Sequence, residues 1–272
     1  MATTAAQAQG GLSLSLPQAS HLLTSFTDFL TVAVHNVLYY RSLYPPATFL
    51  TARAYNLAVH QSRHPGVCTW VGDAVAAIRA QLIQGAVERV ALAIHAPGTQ
   101  VLERWMFDLR AFPAFTDVKD QHPPPSANGS SSRRDEEDDG VGPGGPGSIQ
   151  AAEAMGSSDK INWTDVDEGL RAAVRKMASA AEQLPPLPEG CTYTVAVELR
   201  DESKAPIGYP QHWIPSQTNL QTKSKSRPEP GRDIGGSKTV AIRTVEAGPL
   251  YFDCWVELGK VLVSSSSFAS SG

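Results

Sequence analysis

Cysteine is scarce in this chain of 272 residues. Cys68, Cys191 and Cys254 are too few and too scattered for a disulfide framework, and a reducing intracellular compartment fits that usage. No Lys or Arg precedes Arg41, so a secretory n-region is missing. No run approaches the ~20 apolar residues that a membrane span needs. A basic excess is missing as well. The formal charge is −4, and a block of five acids, Asp135-Glu136-Glu137-Asp138-Asp139, accounts for it. The rest is close to neutral, which argues against strong direct nucleic-acid binding.

Catalytic constellations are also lacking. His60, His64 and Cys68 would align as metal ligands on a helix, but Pro65-Gly66 should break a helix through them. No fourth ligand follows at suitable spacing, so neither a metal site nor a cofactor is expected. Gly231-Arg232-Asp233-Ile234-Gly235-Gly236-Ser237-Lys238 has its Lys after the Ser, the reverse of a phosphate loop. Asp108, Asp117 and Asp120 have nothing nearby to split their pKa values, so they read as solvated charge. No Ser-His or Cys-His pairing declares itself. The expectation is a protein that is not an enzyme.

What is present is an ordered alternation of helix and strand patterns. Leu22, Phe26, Phe29, Ala33 and Val37 share one stripe, and Leu23, Leu30, Val34 and Leu38 an adjacent one. They predict a central helix over 20–44, capped by Ser20 and stopped at Tyr44-Pro45-Pro46. Short extended pieces over 49–60 precede a second helix over 67–84. Residues 87–94 and 101–109 read as a hairpin around Ala96-Pro97-Gly98-Thr99. A third helix over 164–184 opens on Thr164-Asp165-Val166-Asp167, which has capping-box spacing. Asp167, Arg171 and Arg175 give it an ion-paired exposed row. Residues 191–200 alternate strictly, with Tyr193, Val195, Val197 and Leu199 on one face. A closing hairpin takes 239–245 and 250–258.

These elements predict an α+β fold, three helices on a mainly antiparallel sheet. The domain should span 20–258, between tails at 1–19 and 259–272. A disordered acidic insertion at 120–160 and a second insertion at 216–237 interrupt it. Two tryptophans have no obvious core role. Trp70 lies just off the stripe of the second helix, and Trp213 sits among prolines in a long loop. Simple packing and interface anchoring are both open for each.

Three stretches carry a resemblance. Leu38-Tyr39-Tyr40-Arg41-Ser42-Leu43-Tyr44-Pro45 resembles the end of the first helix of HORMA domains. Val101-Leu102-Glu103-Arg104-Trp105-Met106-Phe107-Asp108 resembles their central strand. Pro188-Glu189-Gly190-Cys191-Thr192-Tyr193-Thr194-Val195, with Trp213-Ile214-Pro215, is similar to the accessory, non-catalytic subunits of translesion DNA polymerase zeta. The resemblance covers about 20–112 and 161–258.

It implies a HORMA fold whose C-terminal safety belt traps a partner peptide by strand addition. It further implies a nuclear adaptor between the catalytic subunit of polymerase zeta and a deoxycytidyl transferase scaffold polymerase. A HORMA dimer and a remodelling ATPase are implied as further partners. By position it puts Trp70, Trp213, Pro215 and Tyr44 on the peptide. Arg171, Lys176 and Glu182 fall on a HORMA-pairing surface, and Thr239, Asp253 and Trp255 on the second-polymerase interface. The alternative is a spindle-checkpoint or meiotic HORMA signalling protein.

Overall fold

The computed structural model describes residues 14–98, 100–113, 161–200 and 238–259, with 220–221, 223, 228–232 and 236 between the last two. Helix α1, Leu16–Tyr40, starts earlier and ends earlier than its stripes suggest. At its start the Gln18 side chain accepts the Ser15 N–H, closing the first turn. At its end Ser42 takes a positive φ of 53° and the Leu43 N–H returns to the Leu38 carbonyl. That left-handed closure ends the helix before the prolines are reached.

A 3-10 turn leads into strands β1, Phe49–Ala54, and β2, Leu57–Ser62, which pair as a separate hairpin. Helix α2 spans Pro65–Ile83. Pro65 does not break it but opens it, because the first helical N–H needs no partner. Strands β3, Val87–His95, and β4, Val101–Asp108, form the expected hairpin. Helix α3 runs Trp163–Gln183, and its cap is Asn162 rather than Thr164: Asn162 Oδ1 accepts the Thr164 N–H at 3.2 Å. Strands β5, Thr192–Leu199, β6, Lys238–Ala247, and β7, Leu250–Leu258, complete the chain.

The five long strands form one antiparallel sheet in the order β5-β3-β4-β7-β6. The core lies on one face of it, under α1. Phe26 and Phe29 of α1 each stand 5.3 Å from Phe252 of β7, and Phe29 is 5.9 Å from Phe107 of β4. Helix α1 contacts both other helices, and α3 packs on β6. This is the α+β arrangement the sequence predicts. Among the described residues no helix is long and apolar enough to cross a membrane.

Burial creates one pH liability. His35 is buried on α1 with Nδ1 unpartnered, and burial holds its imidazole below the ordinary value of about 6.5. Burial does the same, less completely, to His60. A lowered folded pKa means that below pH 6.5 the unfolded chain binds protons the folded one refuses. Stability present above that pH is therefore lost as pH falls through the folded value. Urea midpoints should drop between pH 7.5 and 5.5, and His35→Leu should flatten the drop. An equal slope in that variant would remove His35 as its cause.

Candidate functional site

The sheet has two edges, and the sequence treats them differently. On the edge strand β6, Lys238 and Arg243 are exposed and a bulge breaks the register between Ala241 and Arg243. Charge and bulges are the usual protection of an edge against further pairing. On the edge strand β5 the only charge is Glu198, which Arg89 of β3 holds at 2.8 Å, and after one irregularity between Val87 and Arg89 its pairing runs unbroken to His95. Among the described residues no strand lies on its outer side.

Three aromatics gather at the start of β5. Trp70 of α2 meets the Tyr193 ring edge-on at 5.0 Å, and the Tyr44 and Tyr193 hydroxyls lie 3.3 Å apart. Burial, then the bond to Tyr44, pushes the Tyr193 phenol upward, so it stays protonated and able to donate. Trp70 also lines a narrow apolar crevice with Leu30, Val71 and Val195, of about 10 Å³, room for roughly one water. An added strand would set alternate side chains on this face of the sheet. Of the four expected peptide contacts, the structure brings Trp70 and Tyr44 together around Tyr193. Trp213 and Pro215 lie outside the described residues.

The other expected positions form two more groups. Thr239, Asp253 and Trp255 share the outer face of the β6–β7 hairpin, away from the helices. On α3 all three predicted residues face solvent, with Arg171 half-exposed. The helical period puts Arg171 and Glu182 on one flank and Lys176 on the other. Arg175, expected in the exposed row but not among the residues that the resemblance puts on this surface, is exposed and lies nearer the middle of that face. The expected Asp167 to Arg171 ladder is not what forms: Arg171 pairs with Glu168 at 2.8 Å, one residue nearer.

Asp108 corrects the expectation of a solvated carboxylate. It is 6% exposed and held by Arg89 at 3.1 Å and Arg110 at 2.7 Å. Burial opposes ionisation there, but the bonds from Arg110 and Arg89 prevail and keep its carboxyl below the usual range. Asp117 and Asp120 lie outside the described residues. His60 falls on β2, His64 just before α2 and Cys68 within α2, and among the described residues no three His, Cys, Asp or Glu gather as a metal site. Gly231-Arg232 and Gly236 are described, while Asp233 to Gly235 lie outside.

The chain between β5 and β6 joins opposite corners of the sheet. Leu199 leaves at the end where β3 carries Val87, and Lys238 enters beside Leu258, at the end where β4 carries Glu103. Four inter-strand spacings of ~4.8 Å and one strand length of ~26 Å give a diagonal of roughly 33 Å. Residues 200–237 are long enough to do this by way of the β5 edge.

The HORMA domain family model matches residues 23–245. The chain belongs to that family. It is 27% identical to the DNA polymerase zeta processivity subunit of Schizosaccharomyces pombe, over 85% of this chain and 90% of that one. It is 26% identical to the mitotic spindle assembly checkpoint protein MAD2B of Homo sapiens, over 64% of each. Among solved structures a chain of the mitotic checkpoint complex superposes with a TM-score of 0.55 at 18% identity, covering 86% of this chain and 96% of that one. Caenorhabditis elegans HTP-2 bound to HTP-3 closure motif 1 gives 0.50 at 13%, covering 90% and 87%. Both likenesses are of fold.

Proposed function

We propose that this chain is a non-catalytic adaptor subunit of DNA polymerase zeta in translesion synthesis. A peptide of the catalytic subunit adds to β5 as a further strand, and residues 200–237 strap it in place. The outer face of the β6–β7 hairpin then bridges to a second translesion polymerase, the deoxycytidyl transferase scaffold. The observation that carries this reading is the contrast between edges: β6 is protected, while β5 is open beside Trp70, Tyr44 and Tyr193. The name of the fission-yeast relative supports the choice of polymerase zeta. The role places the protein in the nucleus, with 20–258 as the HORMA unit extended at its start to Leu16. The solvent face of α3, with Arg171, Lys176 and Glu182, serves HORMA pairing, and a remodelling ATPase recycles the closed form.

Binding of a fluorescent, proline-containing peptide of the polymerase catalytic subunit tests the site. Trp70→Ala and Trp213→Ala are each expected to weaken it by tenfold or more, roughly the loss of a buried aromatic anchor. Unchanged binding in both variants would sink the assignment. A spindle-checkpoint or meiotic HORMA signalling role is the second reading, and the name of the MAD2B relative favours its checkpoint form. A deletion strain sensitive to ultraviolet light supports the first, and one sensitive only to spindle poisons the second.

A further inference from the structure

Strand β7 alternates from Leu250 to Glu257. Phe252, Cys254 and Val256 enter the core, and Tyr251, Asp253, Trp255 and Glu257 stand half-buried on the outer face. Neighbours on one face of a strand are roughly 6.7 Å apart. Asp253 therefore stands between Tyr251 and Trp255 along that face. The Thr244 hydroxyl of β6 donates to it, which fixes its direction. The Trp255 indole N–H donates to Glu257 Oε1 at 2.9 Å, which fixes that ring. Met106 of β4 and Ala241 of β6 flank Trp255 in register, and the nearby Arg104 of β4 is held by Glu257 at 3.4 Å and Glu198 at 3.5 Å.

The charges are not balanced. Asp253 is the direct cross-strand partner of Asp108. Asp108 is satisfied by Arg89 and Arg110, whereas Asp253 makes no ion pair among the described residues. Arg243, across from Cys254 on β6, makes none with it. Opposed carboxylates repel, so one of them favours an external cation. An ammonium or guanidinium above Asp253 would meet a carboxylate and two aromatic faces together.

We propose that Tyr251, Asp253 and Trp255 form a receptor for a Lys or Arg side chain of a protein that docks on the outer face of this hairpin. The proposal rests on the reading of the hairpin as a bridging surface, and it gives that partner a chemistry: a basic residue.

A displayed library of random peptides, selected on the full-length protein and counter-selected on Trp255→Ala, tests it. Clones that depend on Trp255 should carry Lys or Arg and bind about tenfold more weakly to Asp253→Asn. Asp253→Lys should select acidic peptides instead. Unchanged melting of these variants excludes misfolding as the cause. Trp255-dependent clones without a basic residue, clones indifferent to Asp253→Asn, or no Trp255-dependent clone at all would overturn the proposal. If the β5 peptide fails to bind while basic peptides are still selected here, only the strap reading falls.

Discussion

Glu103→Ala is expected to cost about 3–5 kcal/mol of folding stability, the usual penalty for orphaning a buried charge. Arg41 and Glu103 are each 4% exposed. The guanidinium holds the carboxylate through Nε at 3.0 Å and Nη2 at 2.6 Å. It also donates to the carbonyls of Ala181 and Pro185, at the end of α3. The remaining carboxylate oxygen accepts the Trp105 indole N–H at 3.0 Å. One ion pair thus ties α1, α3 and β4 together inside the core. Without Glu103, a cation and an indole N–H are left in a site with little water. Glu103→Gln keeps an acceptor for only one of these donors and sets its amide NH2 against the other, so it should cost less than Glu103→Ala but still destabilise. The double change Arg41→Met with Glu103→Leu removes both charges and should recover much of the loss. Urea midpoints of the four proteins decide it. A double variant as unstable as Glu103→Ala would mean that packing, not the stranded charge, sets the cost.

The same residues show what the sequence could and could not convey. Leu22, Phe26 and Phe29 predict a buried helix because helical period and burial are both local properties. The strict alternation of 191–200 likewise identifies β5. Its place at the edge of the sheet is not local. It depends on β7 pairing with β4 across the long connection, and no periodicity encodes that. Tyr193 therefore looked like an ordinary core residue, although it sits at the centre of the candidate peptide site. Asp108 reads as solvated in sequence because Arg89 reaches it from a neighbouring strand and Arg110 only by the turn that follows β4. Of the expected peptide contacts, Trp70 and Tyr44 could be placed, whereas Trp213 and Pro215 fall outside the described residues. The fold that the HORMA resemblance implies is the one observed: its stretches reach the end of α1, β4 and the start of β5, while Trp213-Ile214-Pro215 lies outside the described residues.

Gly259→Ala is expected to unseat the end of the closing hairpin at a cost of about 3 kcal/mol, the upper range for overpacking. Gly259 follows β7, and its N–H donates to the Leu102 carbonyl at 2.7 Å. A Cβ there would overlap the carbonyl oxygen of Val101, which is backbone and cannot turn aside. Gly236, just before β6, lies as closely against the carbonyl of Leu258 and has a φ of +45° that other residues resist. Two glycines thus bracket the hairpin where the connection from β5 arrives. Phe252 and Val256, both fully buried, still hold its remainder in the core. The damage should therefore stay local. Amide exchange over 253–258 should quicken about 100-fold, while β3 and α1 keep their protection. Gly236→Ala should fray the same end, and the two changes together should cost less than their sum. If residues 200–237 strap a peptide to β5, a loosened far anchor shortens the life of the complex without touching Trp70 or Tyr193. Dissociation should then quicken in Gly259→Ala with little change in association rate. Exchange that quickens equally throughout the sheet would show that the glycine supports the whole fold and not this seam.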